Sequence, residues 1–174
     1  QCDWSSDVCS SDLTDVLIDS GYDTQNVYSY IVQRGGKWKP TKGHDSSNGY
    51  SVDGVRYPYT WSVTDAMAGR GERKAIKLLV FSNPLMKDIL AHFMLGRGPK
   101  WDFPIGAGET YYAQVTAERR EERVDALGAV SYVWRRIRKD NHLFDCEVLQ
   151  ILAAFVTKII GRHFIAEMGE HLGE

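Results

Sequence analysis

Thr14-Asp15-Val16-Leu17-Ile18-Asp19-Ser20-Gly21 is the stretch on which the fold turns. A short apolar run that stops on a carboxylate and then meets Ser-Gly predicts a strand closed by a turn. Asn26 to Gln33 (NVYSYIVQ) is rich in β-branched and aromatic residues and predicts a second strand. Arg34-Gly35-Gly36 predicts a turn, and Lys37 to Lys42 (KWKPTK) a third strand. The opening is therefore expected to be a β-meander whose first strand is central and whose hairpin partners follow it.

Further on, residues 43–73 show no clean period and predict a long excursion with a short strand or two near Ser51 to Tyr57. Ala75 to Ser82 (AIKLLVFS) predicts a buried strand. Asn83-Pro84 then predicts a helix from Leu85 to about Leu95, with the asparagine as cap and the proline at the first helical position. Trp101 to Pro104 predicts a brief strand and Tyr111 to Ala117 a short helix. Arg119 to Leu127 and Ala129 to Arg138 flank Gly128 as two charged strands of a hairpin. Asp140-Asn141 caps a last helix from His142 to about Ile160. The sum is an α/β fold with a mixed sheet, without internal repeats.

The chain has 174 residues, 43% hydrophobic and 25% charged, which predicts one globular domain. The longest apolar run, Leu149 to Ile160, is broken by Gln150, Thr157 and Lys158, short of a membrane span, so the protein is expected to be soluble. Trp4 to Leu13 (WSSDVCSSDL) looks like the translation of a common sequencing adapter. Residues 1–13 are accordingly set aside as a sequence artefact; the bland alternative is a short polar natural N-terminus. Residues 14–160 are then the domain and residues 161–174 a C-terminal tail. Without Cys2 and Cys9 only Cys146 remains, which excludes a disulfide framework or a cysteine-based zinc site and fits a reducing cytoplasm. Without Asp3, Asp7 and Asp12 the formal charge moves from −2 to +1, so only local basic patches can speak for nucleic acid.

Two carboxylates sit in apolar settings. Asp19 ends the first strand, and Asp145 lies near the start of the last helix, in line with Leu149 and Leu152, on the face expected to be buried. Burying a carboxylate costs desolvation unless something compensates it, and a divalent cation held by oxygen ligands would do so. The bland alternatives are an Asx-turn for Asp19 and a favourable helix N-terminal charge for Asp145. His142 and His44 are weaker candidates, and Glu147 is expected to face solvent or at best to support the site. Arg135, Arg136, Arg138 and Lys139 form one basic run, and Lys37, Lys39 and Lys42 another, suited to phosphates or else to a solvated strand face. Tyr50, Tyr57, Tyr59 and Trp61 either order the long loop or line a groove. There is no G-x-x-x-x-G-K-[ST] loop for ATP phosphates.

Ile18-Asp19-Ser20-Gly21-Tyr22, Lys42-Gly43, Lys87-Asp88, Phe103-Pro104, Tyr112 through Gln114 to Thr116-Ala117-Glu118, Trp134 and Asn141-His142-Leu143-Phe144-Asp145-Cys146-Glu147 occur in one order. That ordered set resembles the nuclease domain of lambda-type phage terminase large subunits. The resemblance implies a ribonuclease-H-like fold with a central first strand flanked by helices, and cleavage of concatemeric double-stranded DNA with Mg²⁺ or Mn²⁺ through a two-metal mechanism. It implies that Asp19 and Asp145 hold the metal. A further acid is expected after the strand ending at Ser82, where this chain has Ser82-Asn83; Asn83, Asp88 or Glu118 would have to fill that role. It implies an ATPase domain ahead of this piece, a small terminase subunit and a portal protein as partners, and the cytoplasm of an infected bacterium as location. The alternatives are another ribonuclease-H-like nuclease of resolvase or transposase type, or a non-cleaving DNA-binding or assembly domain of the same fold.

Overall fold

The computed structural model describes residues 15–68, 71–161 and 164. The segment 1–13, Thr14 and all of the tail except Gly161 and Phe164 lie outside the described residues. In chain order the elements are β1 (Val16–Asp19), α1 (Thr24–Arg34), β2 (Trp38–His44), β3 (Tyr50–Val52), β4 (Val55–Tyr57), β5 (Tyr59–Ala68) and β6 (Glu72–Ser82). They are followed by α2 (Asn83–Met94), α3 (Glu109–Val115), β7 (Glu118–Val124), β8 (Val130–Arg136) and α4 (His142–Val156). This is a mixed α/β chain, and it divides into two compact units, residues 1–43 with 60–80 and residues 44–59 with 81–174.

The first unit carries most of a four-stranded sheet of order β1-β2-β6-β5. β1 and β2 are parallel, with Asp19 opposite Thr41. Parallel neighbours cannot be joined by a hairpin turn; they need a crossover, and α1 supplies it. This corrects two expectations. Asn26 to Gln33 is helix rather than strand, and β1 stands at the end of the sheet order rather than at its centre. Val27, Tyr28, Ile31 and Val32 recur at helical spacing; Tyr28 and Ile31 are buried, and Val27, Tyr28 and Val32 pack with Ala66, Ile76 and Leu78 of the sheet. That shared apolar face outweighs the strand preference of the individual valines, isoleucine and tyrosines. Arg34-Gly35-Gly36 does turn the chain, as the end of α1: Gly35 sits at φ 87° and its N–H bonds to Ile31 O.

In the second unit β3 and β4 pair antiparallel, as do β7 and β8. Residues 43–73, expected to be mostly loop, in fact contain β3, β4 and the ten-residue β5. The helix after β6 starts as expected but is capped one residue earlier: the Ser82 hydroxyl accepts from Leu85 N at 3.3 Å, and Asn83-Pro84 open the helix. Trp101 to Pro104 forms no strand; its aromatic side chains serve packing instead, Trp101 beside Phe93 and Phe103 beside Tyr111 and Tyr112. The core of this unit is α2 against α4, through buried Met86, Ile89, Leu90 and Phe93 on one side and Val148, Ile151, Leu152 and Phe155 on the other. Full burial of each such side chain contributes about 1.5–3 kcal/mol. α4 ends at Val156, four residues short of the expected Ile160.

Candidate functional site

In the first unit Asp19 ends β1 exposed to solvent. Its Oδ1 accepts from Gly21 N at 2.9 Å, which is the Asx-turn expected as its bland role. Gly21 permits that fold-back, since a Cβ there would stand 3.2 Å from the same oxygen. The strand end is tied to β2: Ser20 Oγ donates to Thr41 O at 2.7 Å, and Thr41 Oγ1 to Ile18 O at 3.1 Å. Lys42, exposed, follows the residue opposite Asp19, so carboxylate and ammonium share the carboxyl end of a parallel strand pair. Open α/β sheets place their ligands beyond such ends.

A second set of carboxylates lies in the second unit, around the start of α4. Asn141 is 1% exposed, and its amide makes no N-cap bond. Its Nδ2 instead donates to Glu118 Oε1 at 2.7 Å and to Asp145 Oδ2 at 3.1 Å. Glu118 Oε2 is held by Lys87 Nζ at 2.6 Å, a pair whose side chains are 13% and 4% exposed. Lys87 also lies 5.5 Å from the centre of the Phe144 ring. Thus β7, α2 and the α4 N-terminus converge on two carboxylates, one amide and one ammonium. Asp145 itself is exposed, and this corrects the expectation that its face of α4 is the buried one. The buried stripe is Phe144, Glu147, Val148, Ile151, Leu152 and Phe155, offset by one residue.

Glu147 is the second correction. It is buried at 5%, not solvent-facing. It accepts from Trp101 Nε1 at 2.9 Å and from the Tyr111 hydroxyl. Burial and this carboxylate push the Tyr111 phenol well above its ordinary range. Three residues after Phe144 and four before Ile151, Glu147 sits on the apolar stripe, and that spacing could have revealed it. Asp88 is likewise occupied: its Oδ1 accepts from Trp134 Nε1 at 2.8 Å and from Arg120 Nε at 3.1 Å. Burial raises the Asp88 carboxyl above its usual range, against the opposing pull of Trp134, Arg120 and His92. Trp134 and Arg120 belong to β8 and β7, so Asp88 anchors the hairpin to α2. Asn83 opens α2, and nothing places its amide with a carboxylate.

Arg135, Arg136, Arg138 and Lys139 are all exposed. Arg135 pairs with Glu121 at 3.4 Å and Arg138 Nη1 donates to Ala113 O at 3.1 Å. In the hairpin register Arg119 faces Arg135, Glu121 faces Val133 and Arg123 faces Ser131, so one face carries three arginines and one glutamate. His142 is exposed, whereas the His44 ring is engaged by the Tyr50 hydroxyl and by Ser46 N at 3.1 Å. Among the described residues no three His, Cys, Asp or Glu side chains stand together as a ready-made metal site. The donors that do gather, two carboxylates and an amide that can present its oxygen by a flip, are hard oxygen ligands of the kind Mg²⁺ and Mn²⁺ take. Neither thiolate nor imidazole joins Glu118, Asn141 and Asp145 in these bonds.

The geometry is that of a mixed α/β domain with carboxylates at a strand end and at a helix start, and an arginine-bearing ribbon. Residues 6–164 match the family described as terminase large subunit gpA, endonuclease domain. The match covers most of the chain, and the protein belongs to that family of phage terminase nucleases. No curated protein and no solved structure matches. No helix among the described residues is long and apolar enough to cross a membrane.

Proposed function

We propose that this chain is a divalent-cation-dependent endodeoxyribonuclease that cuts concatemeric double-stranded DNA during genome packaging. Family membership supports the nuclease reading, and the observation that carries the cation reading is the Asn141 amide shared by Glu118 and Asp145. An amide N–H between two carboxylates marks a place where positive charge is favoured. Asp145 and Glu118 are assigned as cation-holding carboxylates at the α4 N-terminus; Asp19, at the end of β1, is assigned as a further catalytic carboxylate on the terminase resemblance. Glu118 is preferred to Asp88 as the further acid because it shares the Asn141 amide with Asp145, whereas Asp88 is tied to Trp134 and Arg120 of the hairpin. A bound Mg²⁺ or Mn²⁺ supplies electrostatic stabilisation of the charge that develops on the scissile phosphate. Lys87 and Asn141 hold Glu118 in place, Asn141 also reaches Asp145, and Lys42 with Arg135, Arg136, Arg138 and Lys139 neutralises flanking phosphates. An ATPase domain, a small terminase subunit and a portal protein are the proposed partners, in the cytoplasm of the infected host.

Supercoiled plasmid incubated with the protein and Mn²⁺ tests this. Nicking is expected, with loss in EDTA and a fall of at least about a hundredfold in Asp145→Asn and in Asp19→Asn. Equal nicking by wild type and both variants would overturn the assignment. Tight DNA binding without any cutting would favour a non-cleaving domain of the same family.

A further inference from the structure

The first unit contains a cavity of about 510 Å³ that none of the proposed cutting residues lines. That is within the range of roughly 300–1,000 Å³ typical of small-molecule sites. Its wall includes Trp38, Trp61 and Ile76, and its charged lining is Lys39, Lys74 and Lys77, with no carboxylate. Trp38 is already packed edge-on against Tyr30, at 5.3 Å between ring centres. Trp61 is 41% exposed and is the indole open to a new partner. Lys39 is neutralised by Asp15, whereas Lys74 and Lys77 are exposed. The requirements are therefore a flat apolar body beside a concentrated negative charge.

We propose that this cavity takes an unpaired nucleotide of a DNA strand, its base stacked on Trp61 and its flanking phosphates met by Lys74 and Lys77. Every base has a face that stacks on an indole, so the site is tolerant of sequence. The choice of DNA as the polymer rests on the nuclease reading; the stacking and charge arguments do not. A base inside an intact duplex is already stacked on both sides, so the pocket discriminates for single-stranded or locally opened DNA.

The test is fluorescence anisotropy with a labelled oligothymidylate about twelve nucleotides long, a length within the usual single-strand footprint. EDTA is present throughout, so failure to bind and failure to cut are separate results. Trp61→Ala should weaken binding roughly tenfold and Trp61→Phe should recover most of that loss. Gly36 also lines the cavity, lies outside the positive-φ region, and has open space where a Cβ would project. Gly36→Leu should therefore fill the pocket and weaken binding without altering charge. Circular dichroism confirms folding of each variant. Wild-type binding by both Trp61→Ala and Gly36→Leu would overturn the proposal. So would equal competition by duplex DNA, or by free thymidine monophosphate at the same nucleotide concentration, which would assign the cavity to a free nucleotide instead.

Discussion

Asp88 and Lys87 are adjacent on α2 and solve opposite electrostatic problems. Folding raises the Asp88 carboxyl above its usual value of about 3.9, because burial outweighs Trp134, Arg120 and His92. The folded protein therefore binds that proton more tightly than the unfolded chain. The stability Asp88 contributes is complete below its ordinary value and is lost as pH rises through the raised one. Asp88→Asn removes that loss. The melting temperature of the variant relative to wild type should rise as pH goes from about 3 to about 7, and a difference independent of pH would contradict this. Lys87 instead neutralises Glu118, whose side chain is 4% exposed. Lys87→Met leaves that carboxylate with the Asn141 amide alone and should cost about 3–5 kcal/mol in urea unfolding. Adding Glu118→Gln should restore much of it; a double variant no better than the single would show that the pair is not the source of the effect.

At the scale of elements, the β7–β8 ribbon separates its duties by face. Alternation places Glu118, Arg120 and Trp134 on one side, where they bind Lys87, Asp88 and the start of α4. The other side carries Arg119, Arg123 and Arg135 with Glu121, and a two-stranded ribbon of this kind fits the major groove. Arg123→Gln with Arg135→Gln should weaken duplex binding and flatten the salt dependence by about two in the log–log slope. An unchanged slope would remove those side chains from the DNA interface. The ribbon was legible in the sequence because Gly128, at φ 83°, is a strong local turn signal; the Asp125 carboxylate, which accepts from Leu127 N and Ala129 N at 2.8 and 2.9 Å, completes the turn. α1 was not legible as helix. Its valines, isoleucine and tyrosines favour strands one by one, and only the partner face formed by Ala66, Ile76 and Leu78, more than thirty positions away, reveals the period that matters.

At the scale of the whole molecule, the acids proposed for cutting lie far apart in the sequence. Asp19 and Asp145 could be singled out because each interrupts apolar surroundings, and the ordered strings around them pointed to the terminase nuclease family, to which the chain belongs. The arrangement of β1 was out of reach: a parallel pair joined by a helix and a meander joined by turns differ only in how Asn26 to Gln33 is read. The Glu118–Asn141–Asp145 bridge was out of reach too, since Asn141 had a sufficient local role as a helix cap and the partners of Glu118 come from two other elements. Glu147 was misjudged because acidity, rather than its place on the stripe of Phe144 and Ile151, governed the expectation. The oxygen donors at the α4 N-terminus are proposed to help hold a divalent cation. Electron paramagnetic resonance of Mn²⁺ titrated into the protein tests it without reference to cutting. Wild type should suppress the free-ion signal and Asp145→Asn should let it reappear, while Lys42→Gln suppresses it as wild type does. Equal suppression by wild type and Asp145→Asn would contradict it.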